Sequence, residues 1–516
     1  MRAALCFNYT AQLYSAFAIL LVVPFYITTL GPEGYGLVAF FIMLQAWSQI
    51  LEAGVSGSVT RLIAVSKSDY LSFNHTMSQL FKIVLIFLVI SIFIILIGAY
   101  FKELIAINWL VTTISPSVVV VSVMAMFFSL SLKYFSGPFR SALVGLERHV
   151  EISIVAIVIL TLKFPVSVFF ILYYSDSLDD FFIYQAVVSF FELFLFLVLS
   201  LYRLVERRRL LHGEENVSKS TFHSFVGFLR FSLLLSMLSI SWVIVTQVDK
   251  LVLSKFLTLT DYGYYSLAVS LSGAILLFSA PLNQILMPRL TELFNSKNYV
   301  YFHKIFFTSF IVIASFSFSL SLFLSFFGNE TIYVWTGDLV ISEKANIYLG
   351  LLSAGNAISV LMSMVFILLF AKGDLKKHTI VYIAYSLFLI PLSIMVAYKY
   401  GAYGSSLFWL IHNLFLFFSW GCLVIEKNFN DSLRFIFYDV LLPCVIISAT
   451  NFYLWSTLFK LPKERVFLLV CLFLIGFLNV FFLAVYFIWF NPRSRAVLFG
   501  VEMINKNSGI RSHDNE

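Results

Sequence analysis

Long apolar runs recur along the chain up to about residue 490, and short polar stretches separate them. A helix needs about 20 mostly apolar residues to cross the hydrocarbon core of a bilayer. By that measure the sequence predicts an all-α polytopic membrane protein with about fourteen transmembrane helices. We place them near residues 8–30, 35–64, 79–100, 109–135, 150–174, 181–204, 224–256, 261–290, 304–327, 345–371, 378–399, 402–426, 434–458 and 465–490.

The composition agrees with this class of protein. Hydrophobic residues make up 60% of the chain and charged residues 12%, with a mean hydropathy of +0.94, whereas soluble domains are about 25% charged. The four cysteines are scattered singly, so we expect neither a disulfide framework nor a metal site. The first residues lack a signal-peptide cleavage pattern, so we expect the first helix to be retained.

Lysine and arginine predict the orientation, because they accumulate in cytoplasmic loops. With a cytoplasmic N-terminus, most of the 34 Lys and Arg residues fall in inner loops and helix ends, whereas Lys163 lies within a predicted helix. The acidic loop 173–180 would then face outwards. Both termini are predicted to be cytoplasmic. The net charge of +7 follows mostly from this asymmetry and gives no reason to expect nucleic acid as a partner.

Three landmarks recur at nearly one offset and indicate an internal repeat. Tyr35-Gly36 corresponds to Tyr262-Gly263 at an offset of 227, and Arg61/Arg289 and Gly145/Gly373 share an offset of 228. Six helices per repeat predict two pseudo-symmetric lobes related by an axis along the membrane normal, with an appended helix pair. The predicted boundaries are an N-lobe at 1–205, a cytoplasmic linker at 206–220, a C-lobe at 221–427, helices 13 and 14 at 428–490 and a cytoplasmic tail at 491–516.

Polar residues form stripes on several predicted helices. Gln45, Gln49, Glu52 and Ser56 are spaced 4, 3 and 4 residues apart, so they share one face of predicted helix 2. A charge at the bilayer centre costs roughly 3 kcal/mol, and such residues normally face a bundle interior or a water-filled cavity. Similar stripes lie on predicted helices 4, 6, 7 and 10, and their members include Ser122, Ser129, Lys133, Ser136 and Arg140; Gln185, Ser189 and Glu192; Ser232, Ser236, Ser239, Thr246, Asp249 and Lys250; and Asn346, Ser353, Asn356 and Ser363.

Each stripe also has a plainer interpretation. Serine, asparagine and glutamine often join membrane helices through hydrogen bonds, and Glu52 or Glu192 could be one half of a structural ion pair. Lys133, Arg140 and Arg289 could be interfacial anchors, and Asp249-Lys250 a local ion pair. Taken together, the five stripes favour a large wet cavity lined by cations towards the cytoplasm.

Such a cavity suits an amphipathic anion, because lysine and arginine bind phosphate through charge-assisted hydrogen bonds. The candidate substrate-binding cations are Arg61, Lys133, Arg140 and Arg289. The candidate polar or ion-coupling residues are Gln45, Gln49, Glu52, Glu192, Asp249 and Lys250. No phosphate-binding loop or hydrolase motif is present, and no cofactor is expected. Transport would therefore draw on an ion gradient, a partner or consumption of the product.

Four stretches resemble the bacterial polysaccharide-transporter flippases of the multidrug/oligosaccharidyl-lipid/polysaccharide exporter superfamily. They are ITTLGPEGYGLVAFFIMLQ, ILEAGVSGSVTRLIA, GPFRSALVGLER and VDKLVLSKFLTLTDYGYYSLA. The matching positions are Leu30, Gly31, Tyr35, Gly36, Glu52, Gly54, Arg61, Gly145, Arg148, Asp249, Lys250, Tyr262 and Gly263. The chain departs from the family pattern at Glu52, where aspartate is more frequent, and at Thr260-Asp261, where a glycine is expected.

The resemblance implies a flippase with two lobes and alternating access in the bacterial inner membrane. Its expected substrate is an undecaprenyl-diphosphate-linked oligosaccharide, moved to the periplasmic leaflet of the lipid bilayer for O-antigen, lipopolysaccharide, capsule or exopolysaccharide synthesis. H⁺ or Na⁺ is the candidate coupling ion, and polysaccharide polymerase and chain-length proteins are candidate partners. The alternatives are a multidrug efflux antiporter of the same superfamily and a polysaccharide polymerase or ligase, which would need a long catalytic periplasmic loop.

Overall fold

The computed structural model describes residues 14, 17–18, 20–52, 55–66, 70–211, 225–429 and 432–499. Within these ranges the description of side chains excludes residues 49, 51–52, 55–58, 225–235, 280 and 499. The regular structure of the described residues is helical, apart from one isolated bridge between Val111 and Thr258.

The chain divides into two compact units, and the first consists of residues 1–263 and 379–397. Its helices are α1 (Leu20–Thr29), α2 (Gly31–Glu52), α3 (Val55–Ser66), α4 (Tyr70–Glu103), α5 (Pro116–Gly145), α6 (His149–Thr161), α7 (Ser167–Tyr173), α8 (Leu178–Leu211), α9 (Phe225–Phe256) and the start of α10 (Leu259–Ser272). Two π-helical segments, Leu104–Trp109 and Leu162–Val166, continue α4 and join α6 to α7.

The second unit consists of residues 264–378 and 398–516. Its helices are the rest of α10, α11 (Ala274–Asn295), α12 (Tyr299–Phe326), α13 (Gly328–Thr336), α14 (Leu339–Lys372), most of α15 (Lys376–Leu416) outside residues 379–397, α16 (Cys422–Asn428), α17 (Ser432–Arg434), α18 (Leu442–Leu458), α19 (Arg465–Val485) and α20 (Pro492–Phe499). Its π-helical segments are Phe417–Gly421, Phe435–Leu441 and Tyr486–Phe490.

Eleven helices in the described ranges are long and apolar enough to cross a membrane, which confirms the all-α polytopic prediction. The helical segment Lys376–Asn428 is 53 residues long and covers predicted helices 11 and 12. It bends at Gly401, where φ is 59° and ψ is −149°, a conformation that glycine tolerates because it has no Cβ. The break falls between the two predicted helices, at the position expected from the apolar runs.

Burial separates helices that face lipid from helices that face protein. In the most apolar 18-residue window of each, 17% of Tyr70–Trp109 is buried but 78% of Leu339–Lys372 is buried. The first therefore presents most of its surface to lipid, and the second forms the centre of its unit.

The predicted lobe boundaries stay predictions. Helix α8 continues to Leu211, which lies within the predicted linker, and residues 212–220 of that linker lie outside the described part of the chain.

A buried asparagine joins the predicted C-terminal helix pair to α12. Asn479 on α19 is fully buried, and its amide donates to the hydroxyls of Ser319 (2.6 Å) and Ser448 (2.9 Å). Its oxygen accepts a hydrogen bond of 3.1 Å from Asn451. Because lipid offers no alternative partner for these groups, one side chain holds α12, α18 and α19 together.

We predict that Asn479→Leu lowers the free energy of unfolding of the second unit by about 1–2 kcal/mol, the usual range for hydrogen bonds between membrane helices. Thermal unfolding of the purified protein in detergent measures this. Thr450→Val is the matched control, because the exposed Thr450 hydroxyl bonds only to the carbonyls of Ile446 and Ile447 on its own helix. Equal melting temperatures for the two variants would contradict the structural role of Asn479.

Candidate functional site

A largely buried ion pair lies between helical segments of the first unit. The Lys163 Nζ lies 2.5 Å from the Glu192 Oε2, and the two side chains are only 13% and 14% exposed. Glu192 is on α8, and Lys163 belongs to the π-helical segment between α6 and α7. Each charge is tolerated in this apolar setting because the other neutralises it.

The π-helical segment around Lys163 is fixed by side chains of α8. Pro165 has no backbone N–H to donate, and the helix widens around it. In this wide turn the carbonyl of Leu162 accepts a hydrogen bond of 2.7 Å from Tyr184, and that of Lys163 accepts one of 2.9 Å from Gln185. These bonds hold the lysine in place towards Glu192.

Helix α1 supports the same segment from another side. The Tyr26 hydroxyl donates to the Lys163 carbonyl at 3.2 Å and also bonds to the Ser167 hydroxyl. Tyr26 is buried, and its ring contacts Phe181 edge-on at a centroid distance of 5.2 Å. The backbone that carries Lys163 is therefore held by two helices, and the ion pair sits in a rigid frame.

Two further cations and a glutamine complete a group that we call the polar cluster: Gln45, Lys133, Arg140, Lys163 and Glu192. Lys133 and Arg140 lie on α5, where Lys133 is half-buried and Arg140 is exposed. Their positive charges act on the Glu192 carboxylate. The Lys133 Nζ also donates a hydrogen bond of 3.3 Å to the Gln45 Oε1 on α2. Among the described side chains, the cluster holds three cations and one carboxylate, and this net positive charge suits an anion.

The structure brings together four of the ten predicted site residues: Gln45, Lys133, Arg140 and Glu192. Arg61, on α3, is half-buried, and its neighbour Thr60 donates a hydrogen bond of 3.2 Å to the Ser141 carbonyl of α5. The side chains of Gln49 and Glu52 lie outside the described residues, so their predicted roles stay predictions.

The other predicted residues make local contacts. Arg289 pairs with Glu292 of its own helix at 2.8 Å, and the two side chains are 50% and 66% exposed, so their attraction is largely screened. Asp249 is buried beside Lys250, with 3.2 Å between their charged atoms. Lys250 also donates to the Thr246 carbonyl at 2.5 Å. These contacts match the local-pair interpretation of Asp249-Lys250.

Sequence reasoning missed Lys163 as a member of the site. Its position in the middle of predicted helix 5 was a signal, because a membrane lysine needs a partner and Glu192 also needed one.

The structure shows that the predicted stripe on helix 10 includes a residue that joins helices through hydrogen bonds. Asn356 donates to Ser272 at 3.1 Å and accepts from Trp409 at 3.0 Å. Those bonds join helices of the second unit, as the hydrogen-bonding interpretation expected.

A second feature of the first unit is a close contact that we call the glycine seam: Pro32, Gly36, Leu259 and Gly263. A Cβ on Gly36 would overlap the Leu259 carbonyl oxygen, and a Cβ on Gly263 would overlap the Pro32 carbonyl oxygen. The contact is reciprocal, because Leu259 and Gly263 follow Pro32 and Gly36 by the repeat offset of 227. Both glycines are required for the start of α2 and the start of α10 to meet.

Hydrogen bonds around the segment between α4 and α5 reinforce the seam. Glu33 accepts bonds from the Thr113 N–H (2.6 Å), the Thr113 hydroxyl (2.7 Å) and the Thr112 hydroxyl (2.7 Å). Burial disfavours the charged carboxylate, but the bonds from Thr113 and Thr112 outweigh it and lower the pKa of Glu33. The Leu259 N–H donates to the Val111 carbonyl at 2.8 Å. These bonds join the start of α2 and the start of α10 to the segment between α4 and α5.

The described residues contain no group of three or more histidine, cysteine, aspartate or glutamate side chains that could hold a metal ion.

The sequence matches the model of a known protein family. The model of a family described as polysaccharide biosynthesis protein matches residues 4–294, which is more than half of the chain. No curated protein matches the sequence.

Solved structures share the fold. A structure described as lipid II flippase MurJ in an inward closed conformation is 15% identical, with a TM-score of 0.66, and the match covers 95% of this chain and 99% of that one. An inward-facing multidrug resistance MATE family transporter of the MOP superfamily is 14% identical, with a TM-score of 0.58 over 80% and 94%. A structure of the MATE multidrug transporter DinF-BH is 16% identical, with a TM-score of 0.56 over 84% and 95%.

We predict that breaking the ion pair costs more than deleting it. Lys163→Met or Glu192→Leu alone leaves a buried charge without its partner and should lower the free energy of unfolding by about 3–5 kcal/mol. The double variant leaves neither charge of the pair and should lose much less. Thermal unfolding of the four proteins in detergent gives the comparison. Additive losses in the double variant would show that the two side chains do not depend on each other.

Proposed function

The chain belongs to the polysaccharide biosynthesis protein family, and from this premise we propose that it is a flippase for lipid-linked oligosaccharides. Its substrate is an undecaprenyl-diphosphate-linked repeat unit, which it moves from the cytoplasmic to the periplasmic leaflet of the bacterial inner membrane. The product serves the assembly of O-antigen, capsule or exopolysaccharide. The observation that carries the proposal is the net positive charge of the polar cluster inside an apolar unit.

The polar cluster matches the head of such a substrate. A diphosphate brings negative charge and several acceptor oxygens, and Lys133 and Arg140 supply donors that form charge-assisted hydrogen bonds. We assign the diphosphate to Lys133 and Arg140, the two cations of the cluster that lie on α5. Because each charge inside a membrane costs roughly 3 kcal/mol, a cluster in which cations outnumber carboxylates favours an anionic ligand. Gln45 offers an amide to sugar hydroxyls.

The glycine seam supports alternating access. Repeated transporters commonly place the substrate path at the interface of the repeats, and one part moves against the other. Gly36 and Gly263 belong to different predicted lobes and touch without side chains. Opening of the seam would require either the Glu33–Thr113 or the Leu259–Val111 hydrogen bond to break, because these bonds link the same two turns. The orientation predicted from lysine and arginine places the seam at the periplasmic side, where it would open to release the product.

The same fold occurs in multidrug transporters, which keeps drug efflux as the alternative that an experiment must exclude. An efflux antiporter would be expected to use an acidic ion-binding cluster. In the polar cluster, the single carboxylate is outnumbered by three cations. The charge balance therefore favours an anionic substrate over a drug cation. In this proposal the chain is a transporter and not an enzyme.

The deciding experiment locates the lipid-linked repeat unit in a strain that lacks this protein but keeps the later assembly steps. Spheroplasts are treated with a lectin or glycosidase that recognises the glycan and cannot cross the membrane. Accumulation on the cytoplasmic side, relieved by the wild-type gene, supports the flippase. Repeat units that reach the periplasmic leaflet without it would contradict the proposal, and drug sensitivity in the same strain would favour efflux.

We predict that the double variant Lys133→Gln/Arg140→Gln lowers the translocation rate by about 10- to 100-fold, since a hydrogen bond to a charged group contributes about 1.5–3 kcal/mol. The spheroplast assay measures the rate at matched protein level. Arg289→Gln is the comparison, and its effect should be smaller because Arg289 is paired with Glu292 on its own helix. A double variant with the wild-type rate would remove the polar cluster from the mechanism.

We also predict that Gly36→Ala reduces translocation strongly, because its methyl group would prevent the seam from closing. Gly476→Ala is the matched control, since a Cβ there meets nothing within 4 Å. Translocation is measured as above, and thermal unfolding shows that the variant is still folded. A folded Gly36→Ala protein with normal translocation would show that closure of the seam is not required.

A further inference from the structure

An apolar groove runs along the outside of the first unit, between α5 and α8. Its volume is about 500 Å³. On α5 the groove spans residues 120–128, which corresponds to about 12 Å along the helix axis. The small side chains of Ala125 and Ala186 form its floor, while Phe128 and Phe190 are 39% and 56% exposed at its rim. An apolar groove of this length, with small side chains between exposed aromatic rings, fits a hydrocarbon chain.

The groove is separate from the polar cluster. At 100° per residue, Val187 lies about 160° around α8 from Gln185, and Met124 lies about 180° around α5 from Lys133. Met124 and Val187 line the groove, whereas Gln185 and Lys133 contact the polar cluster. The two helices therefore present the groove and the cluster on opposite faces, and a molecule in the groove would not touch the cluster.

One cation lies at the end of the groove. Lys102, in the last turn of α4, is half-buried and is the one charged residue that lines the groove. In the described part of the chain it has no ion pair with another residue, and its neighbour Glu103 does not line the groove. A lysine at a helix end extends its ammonium towards the head-group region of the bilayer. A lysine in that region attracts an anionic head group by its positive charge.

We propose that this groove binds one anionic phospholipid of the surrounding bilayer, with an acyl chain between α5 and α8 and its phosphate at Lys102. The charge of Lys102 complements the phosphate, and the apolar walls complement the chain. The flippase substrate fits less well, because Lys102 is the only group in the groove that could bond to a sugar or a diphosphate. The site is therefore a lipid site of the scaffold and is independent of the transported molecule.

The test uses the full-length protein in detergent, with native mass spectrometry to count bound lipids. Phosphatidylglycerol and phosphatidylcholine with identical acyl chains are the two probes, since they differ in net head-group charge. We expect one phosphatidylglycerol to bind at least 5-fold more tightly than phosphatidylcholine, and Lys102→Gln to abolish that preference. Val187→Trp, at a rim position that is 61% exposed, should weaken the binding of both lipids.

Lys399→Gln is the matched control, because Lys399 is an exposed lysine outside the groove. It should leave the preference for phosphatidylglycerol unchanged. Equal binding of the two lipids to the wild type, or an unchanged preference in Lys102→Gln, would overturn the proposal. Because the readout is lipid binding, its failure would leave the proposed flippase function untouched, and failure of the spheroplast experiment would leave this result standing.

Discussion

Hydrocarbon offers no hydrogen-bonding partner, so each polar group inside a membrane must find its partner within the protein. That constraint explains how the helices are held together. Asn479 and Asn356 each join several helices of the second unit. In the first unit, Tyr184 and Gln185 satisfy carbonyls of a widened turn. These polar side chains therefore stabilise the packing of helices through hydrogen bonds. A functional role for a polar residue needs an observation that helix packing alone does not explain.

The net charge of the polar cluster is such an observation. The Lys163–Glu192 pair balances itself, and it is fixed by contacts from two helices. Lys133 and Arg140 then add positive charge beside a pair that is already neutral. The pair has a structural explanation, whereas Lys133 and Arg140 give the described side chains of the cluster a net positive charge. An anionic head group complements that charge, which is why the charge balance carries more weight here than the number of polar residues.

The sequence predicts the membrane-spanning helices better than it predicts the contacts between them. Apolar runs predict the membrane-spanning part of most helices, and the bend at Gly401 falls at a predicted boundary. They do not predict the helix ends, since α5 covers Pro116–Gly145 where 109–135 was predicted. Periodicity shows that Asn356 and Glu192 lie on polar faces but not what those faces contact. Lys163 was missed for that reason, since its pairing depends on which helices are neighbours. The roles of Gln49 and Glu52 stay predictions.

The reciprocity of the glycine seam bears on the origin of the protein. In a homodimer with two-fold symmetry, residue i of one subunit contacts residue j of the other, and j contacts i in return. Pro32, Gly36, Leu259 and Gly263 reproduce that arrangement within one chain. In two identical chains, one substitution would alter both sides of such an interface at once. In this single chain each side can change alone, so the two halves of the seam can become different.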